Sequence, residues 1–126
     1  MTLRLAIADL YAALALPPER RDAWWAYHVC SLTRQVHLGV WQEIPDNALV
    51  REEIMPLFAA AQQQVHDFPQ RDGPVGKYTE RFTHNIGRRI DNLGNYIANR
   101  PSDFAPDSVI DDPVNAEREL TPGRES

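Results

Sequence analysis

Apolar residues recur at helical spacing along most of the first hundred positions, in four successive stretches. The clearest stretch is the last, where they return every three or four residues and so fall on one face of an α-helix. Strict alternation of apolar and polar residues, the pattern of a half-buried strand, does not occur in the sequence. The pattern therefore predicts an all-α fold. The apolar positions of the last stretch are Tyr78, Phe82, Ile86, Ile90, Leu93 and Ile97.

Prolines and capping residues divide this pattern into helices. Pro56 falls inside the third stretch and should kink or split it. Gly87 and Gly94 share one edge of the fourth, which predicts a close helix crossing there. We expect a small antiparallel bundle of about four helices with a loop over residues 69–74. The predicted bounds are Thr2 (N-cap) to Leu16, about Pro18 to Ile44, Asp46 or Asn47 to about Phe68, and about Val75 to Asn99.

The second helix is apolar on two opposite sides. One stripe, from Trp25 to Val40, is the expected core face, and a second set of large apolar residues points the other way. A helix that is apolar all round is buried all round. Either this helix lies at the centre of the bundle, or the second set forms an exposed surface for a partner protein or a second copy. The second set is Trp24, Tyr27, Leu38 and Trp41.

Charge separates the chain into two parts. The formal net charge is −5, and residues 102–126 carry all of it, with seven acidic and two basic side chains. Residues 1–101 are neutral, and they form the predicted helical bundle. The remainder is predicted to be an extended acidic arm containing prolines. Its spaced apolar residues, including Phe104, Val109 and Ile110, would anchor it on a groove or a partner. The alternative is a solvated tail whose charge keeps the protein soluble.

Candidate catalytic chemistry is sparse. The chain has one cysteine, Cys30, which we expect to be a buried structural thiol, and four histidines without metal-ligand spacing. We therefore predict no metal and no cofactor. Arg21 and His28 stand at a spacing found in some helical ribonucleases. About one such match is expected by chance in a chain with this arginine and histidine content, so the spacing indicates no family.

The fourth helix also suggests a possible partner. Lys77, Arg81, Arg88 and Arg89 are predicted to lie on its outer face, where arginines can contact phosphates and base edges. Nucleic-acid binding through this face is one alternative function, and a nuclease using Arg21 and His28 is another. An acidic chain without a helix-turn-helix signature favours neither of them.

The first sixteen residues superficially resemble a signal peptide. Asp9 interrupts the apolar region, and the spacing of Leu3, Ile7 and Leu10 indicates an amphipathic helix instead. We therefore expect a cytoplasmic protein with no membrane partner. The function we predict is that of a non-enzymatic interaction protein. It would be a small accessory or assembly subunit that binds another protein or itself through the second helix and the arm.

Overall fold

A computed structural model describes residues 2–22, 24–68 and 78–99. All regular structure in these ranges is helical, which confirms the predicted all-α bundle. The loop predicted over residues 69–74, Lys77 and the acidic arm lie outside the described residues. The helices are α1 (Leu3–Ala15), α2 (Trp25–Glu43), α3 (Asn47–Leu49), α4 (Met55–Asp67) and α5 (Thr79–Asn99).

Helix α1 begins where predicted and is held from two sides. The Thr2 hydroxyl accepts a hydrogen bond from the Leu5 amide at 3.2 Å, and the Glu43 carboxylate at the end of α2 accepts one from the Leu3 amide at 2.7 Å. The first amides of a helix have no intrahelical acceptor, so both contacts stabilise α1. They also make α1 antiparallel to α2. A Cβ atom on Gly39 would lie 3.2 Å from the Leu3 Cα, so this glycine permits the close approach.

Helix α2 does not begin near Pro18, so that predicted boundary is wrong. Pro18–Arg20 form a single 3-10 turn, and Arg21 is extended, with φ −86° and ψ 126°. The helix starts again after Asp22, whose carboxylate accepts a hydrogen bond from the Trp24 amide at 3.0 Å. The chain leaves the helical conformation because Arg21 is used to bind the end of α1, as described below.

The third helical segment is split, as Pro56 predicts. Val50–Ile54 form a π-helical turn between α3 and α4, in which the Met55 amide donates to the Val50 carbonyl. A proline ring collides with the carbonyl four residues earlier in a regular α-helix. The wider π turn accommodates the ring and joins α3 directly to α4. Asp46 caps its start by accepting a hydrogen bond from the Leu49 amide.

Helix α2 is the central helix, packed against α1, α4 and α5. It runs parallel to α5, because Tyr27 contacts Phe82 near the start of both helices and Trp41 contacts Tyr96 near their ends. Helix α4 is antiparallel to α5.

Within the described ranges, no helix is long and apolar enough to cross a bilayer.

Both α5 glycines face side chains of α4, where a close helix crossing was predicted. A Cβ atom there would lie 2.8 Å from the Gln62 Nε2 atom of α4, which itself donates to the Thr83 carbonyl at 3.2 Å. At Gly94 the nearest such atom is the Met55 Cε at 4.0 Å, an ordinary contact distance. Gly87 therefore leaves room for the Gln62 side chain, which links α4 to α5.

Replacing Ile44 by glycine should raise the free energy of unfolding by about 1 kcal/mol. Ile44 ends α2 in the left-handed conformation, with φ 50° and ψ 60°, and its side chain is 60% exposed. A β-branched residue is strained there, whereas glycine is not. Urea denaturation measures the change. Ile44→Val keeps the strain and should show no gain, and a less stable glycine variant would contradict the expectation.

Candidate functional site

Arg21 holds the junction between α1 and α2. Its Nε donates to the Leu16 carbonyl at 2.9 Å, and its Nη2 donates to the Leu14 carbonyl at 3.2 Å and to the Gln64 Oε1 of α4 at 2.7 Å. The last carbonyls of a helix lack intrahelical donors, so the guanidinium caps the C-terminus of α1. Partial burial lowers the pKa of Arg21 from its ordinary value, because it removes water from the charged group.

Trp25 completes this junction. The Arg21 guanidinium carbon lies 3.9 Å from the centre of the Trp25 ring, which is a cation–π arrangement. The indole Nε1 donates to the Ala13 carbonyl at 3.0 Å, and the ring packs against Phe68 with centroids 5.1 Å apart. Trp25 is therefore a buried link between α1, α2 and the end of α4.

A surface cleft of about 330 Å³ opens beside this junction. We call it the aromatic cleft. Its apolar wall is made by Leu16, Trp24, Trp25 and Tyr27, and its polar rim by Arg20, Asp22 and His28. The position of the wall follows from the interrupted start of α2, since the extended Arg21 and the turn at Asp22 bring the end of α1 beside the first turn of α2.

The ring positions in the aromatic cleft are fixed by contacts within the chain. Trp24 and Tyr27 meet edge to face at 5.9 Å, and Tyr27 meets the buried Phe82 of α5 at 6.2 Å. Trp24 and Tyr27 are both half-buried, while His28 is exposed. The cleft therefore presents rings that are already oriented.

The four residues predicted as one contact surface divide into two groups. Trp24 and Tyr27 lie at the start of α2, whereas Leu38 and Trp41 lie near its end, about 21 Å away along the helix. All four are half-buried. Their role in partner binding stays a prediction. Among the described residues, the large apolar side chains that are exposed are others: Leu5, Tyr11 and Ile44.

Trp41 belongs to a second aromatic group at the far end of α2. Its Nε1 donates to the Nε2 of the buried His37 at 3.1 Å, and its ring meets Tyr96 of α5 edge to face at 5.9 Å. An indole N–H only donates, so His37 accepts at Nε2 and carries its proton on Nδ1. The Tyr96 hydroxyl donates to the Pro45 carbonyl, which attaches the loop after α2 to α5.

A polar cluster lies in the core between α2 and α5. The Arg89 Nη1 donates to the Cys30 carbonyl at 3.1 Å, lies 3.4 Å from the Cys30 sulfur, and donates to the Thr33 hydroxyl at 3.2 Å. The Asn85 amide lies 3.9 Å from the same sulfur. All four side chains are fully buried. The expectation of a buried structural thiol at Cys30 is confirmed.

The predicted basic outer face of α5 needs a correction at Arg89, which is buried rather than exposed. Arg89 lies seven residues from both Phe82 and Tyr96, so it occupies the middle of the buried face. Its charge alone had suggested the outside. Arg81 and Arg88 are exposed as expected, and the Arg81 guanidinium lies 5.9 Å from the Tyr78 ring.

The described residues contain no group of three or more His, Cys, Asp or Glu side chains that could hold a metal ion. His84 is exposed on α5 and lines a shallow polar cleft of about 320 Å³ with Gln62, Arg88 and Asp91. Arg21 and His28 both lie near the aromatic cleft. However, the three acceptors of Arg21 give it a structural role that the sequence spacing did not reveal.

Comparison with known proteins gives no relative. No protein-family model matches the chain, and no curated protein or solved structure matches it significantly. The candidate site therefore rests on its own geometry.

Proposed function

We propose that this chain is a non-enzymatic interaction protein, a small accessory or assembly subunit, that binds a partner protein at the aromatic cleft. The observation that carries the proposal is the cleft itself, in which Trp24, Trp25 and Tyr27 surround one opening of about 330 Å³. Tryptophan and tyrosine dominate the energetics of protein interfaces when they border desolvated pockets. Rings that are already oriented also lose little conformational entropy on binding.

The chemistry of the cleft defines the partner that we expect. Its volume lies at the low end for small-molecule pockets and suits one large apolar side chain better than an extended cofactor. The rim carries one basic residue, Arg20, one acidic residue, Asp22, and the imidazole of His28. Such a rim can hydrogen-bond a peptide backbone without selecting strongly for charge. The partner is thus a protein segment that inserts an aromatic or branched aliphatic side chain.

The role of Arg21 supports a non-enzymatic function. Its Nε and Nη2 donate to acceptors in α1 and α4, and its charged face lies on Trp25. A guanidinium used in this way stabilises the wall of the cleft. These contacts explain the presence of Arg21, one member of the Arg21 and His28 pair, by a structural role.

The test uses Trp24→Ala in the full chain. Proteins captured by the tagged wild type are identified by mass spectrometry, and the leading candidate is purified and titrated against both proteins. Loss of a central tryptophan costs about 2 kcal/mol of binding, so we expect the dissociation constant to rise roughly 30-fold. Leu5→Ala is the matched control, because Leu5 is 58% exposed on α1 and does not line the cleft.

Two results would overturn the proposal. One is equal affinity of wild type and Trp24→Ala for every captured protein, with the variant still folded by circular dichroism. The other is a solution mass showing that the wild-type chain pairs with itself and that Trp24→Ala abolishes the pairing. In the second case, the cleft would be an interface between copies rather than a site for another protein.

A further inference from the structure

A second surface runs along the α2 and α5 pair, on the side away from α1 and α4. On α2 it is formed by half-buried residues spaced three and four apart, opposite the face that Trp25 and Gly39 present to α1. Because α2 and α5 are parallel, the α5 residues next to these α2 residues run along the surface in the same direction. We call this surface the α2/α5 groove. Its surface residues are Tyr27, Ser31, Arg34, Leu38 and Trp41 from α2, and Tyr78, Arg81, Arg88 and Asn92 from α5, and beneath them lie the buried Asn85, Arg89 and Tyr96.

The α2/α5 groove is basic and partly apolar. Three arginines line it, and none of its surface residues, all in the described part of the chain, is acidic. Arg81 and Arg88 are exposed at its α5 edge, and Arg34 is half-buried on the α2 edge. Arg89 is enclosed between the two helices and does not reach this surface. Aromatic rings stand at both ends, with Tyr27 and Tyr78 at one and Trp41 and Tyr96 at the other. An occupant that fits would be acidic with spaced apolar side chains.

The chain itself contains such a segment. Residues 102–126 carry seven acidic and two basic side chains, with Phe104, Val109 and Ile110 among them. Helix α5 ends at Asn99, at the end of the groove where Trp41 meets Tyr96. From Tyr27 to Trp41 the groove is about 21 Å long. The residues after Asn99 reach several times that distance when extended, at about 3.3 Å per residue.

We propose that the acidic arm, residues 102–126, turns back at the end of α5 and occupies the α2/α5 groove. Its carboxylates face Arg34, Arg81 and Arg88, and its apolar side chains pack on the aromatic rings. This assignment gives Phe104, Val109 and Ile110 a place on the protein's own surface rather than on a partner. It goes beyond the proposed function, because the aromatic cleft opens toward the α1 side of Trp24 and needs no arm.

The first test measures motion of the arm in the full-length, isotope-labelled protein. Backbone order parameters are about 0.85 for rigid residues and below 0.6 for flexible ones. At low salt we expect values near the rigid limit from Phe104 to Ile110. The double variant Arg81→Glu with Arg88→Glu should lower them into the flexible range. The matched control is Arg4→Glu with Arg51→Glu, which makes the same charge change at exposed positions outside the groove and should leave the arm rigid.

The second test locates the arm. Nuclear Overhauser contacts are expected from Phe104, Val109 or Ile110 to Leu38 and Trp41, within one molecule in a mixed-label sample. Flexible values across the arm of the wild type would overturn the proposal, as would equal loosening by the control. Contacts only between molecules would show a swapped dimer instead. A failed Trp24 titration would leave these arm measurements unaffected, so the two proposals fail separately.

Discussion

Replacing Arg89 by alanine should lower the free energy of unfolding by about 3–5 kcal/mol. Arg89 is the largest fully buried side chain among the described residues, so its loss leaves a cavity between α2 and α5. The same change removes a donor from the Thr33 hydroxyl and one of the donors to the Cys30 carbonyl, which still accepts from Thr33. A buried acceptor that loses a donor destabilises the folded state, because it gave up a hydrogen bond to water on folding and receives none in return. The measurement is the midpoint and slope of a urea transition.

The neighbouring residue is the control for this prediction. Arg88 carries the same side chain one position earlier and is exposed, so Arg88→Ala should change stability by no more than about 0.5 kcal/mol. Arg89→Met keeps most of the volume but none of the hydrogen bonds, so its loss should lie between the other two. Similar losses from Arg88→Ala and Arg89→Ala would contradict the buried position of Arg89.

Arg21→Ala should lower the free energy of unfolding by about 3 kcal/mol. Three hydrogen bonds and the contact with Trp25 disappear together, and the carbonyls of Leu14 and Leu16 at the end of α1 lose their donor. We also expect α1 to separate from α2 more readily, which faster amide hydrogen exchange in α1 would reveal. Thermal or urea denaturation gives the magnitude.

Two further variants test the reason for the Arg21 effect. Arg20→Ala, at an exposed position next to it, should be nearly neutral. Arg21→Lys keeps the charge but not the planar fork of donors, so it should recover less than half of the loss. A full recovery by lysine would mean that the charge alone matters.

Any nuclease activity should be tested with His28→Ala, since His28 is exposed and its loss should leave the fold intact.

The regular helices were predictable because their signals are local. The cap at Thr2, the stop at Pro17, the split at Pro56 and the stripe from Phe82 to Ile97 each depend only on residues of one helix or its ends. The start of α2 was predicted wrongly for the opposite reason. Its true position depends on Arg21, which binds the end of α1 and also reaches Gln64, a residue 43 positions away. The helical pattern of apolar residues contains none of these contacts.

Arg89 shows the same limit within a single helix. Its seven-residue spacing from Phe82 and Tyr96 placed it on the buried face, but a charge is almost never fully buried without a partner. Two acceptors that help to make its burial tolerable are on α2, 56 and 59 residues away. The aromatic cleft could be foreseen only in part. The sequence singled out Trp24 and Tyr27, but the rest of the cleft exists because α1 and α2 meet at Arg21.

The position of Cys30 has a consequence for the redox chemistry of the protein. It is the chain's single cysteine, and its side chain is fully enclosed between α2 and α5. Oxidation and disulfide exchange both require a thiolate that a reagent can reach. In the folded protein Cys30 is thus protected from oxidation and from disulfide-linked pairing. Reaction of Cys30 with a thiol reagent can proceed only at the rate at which these two helices part.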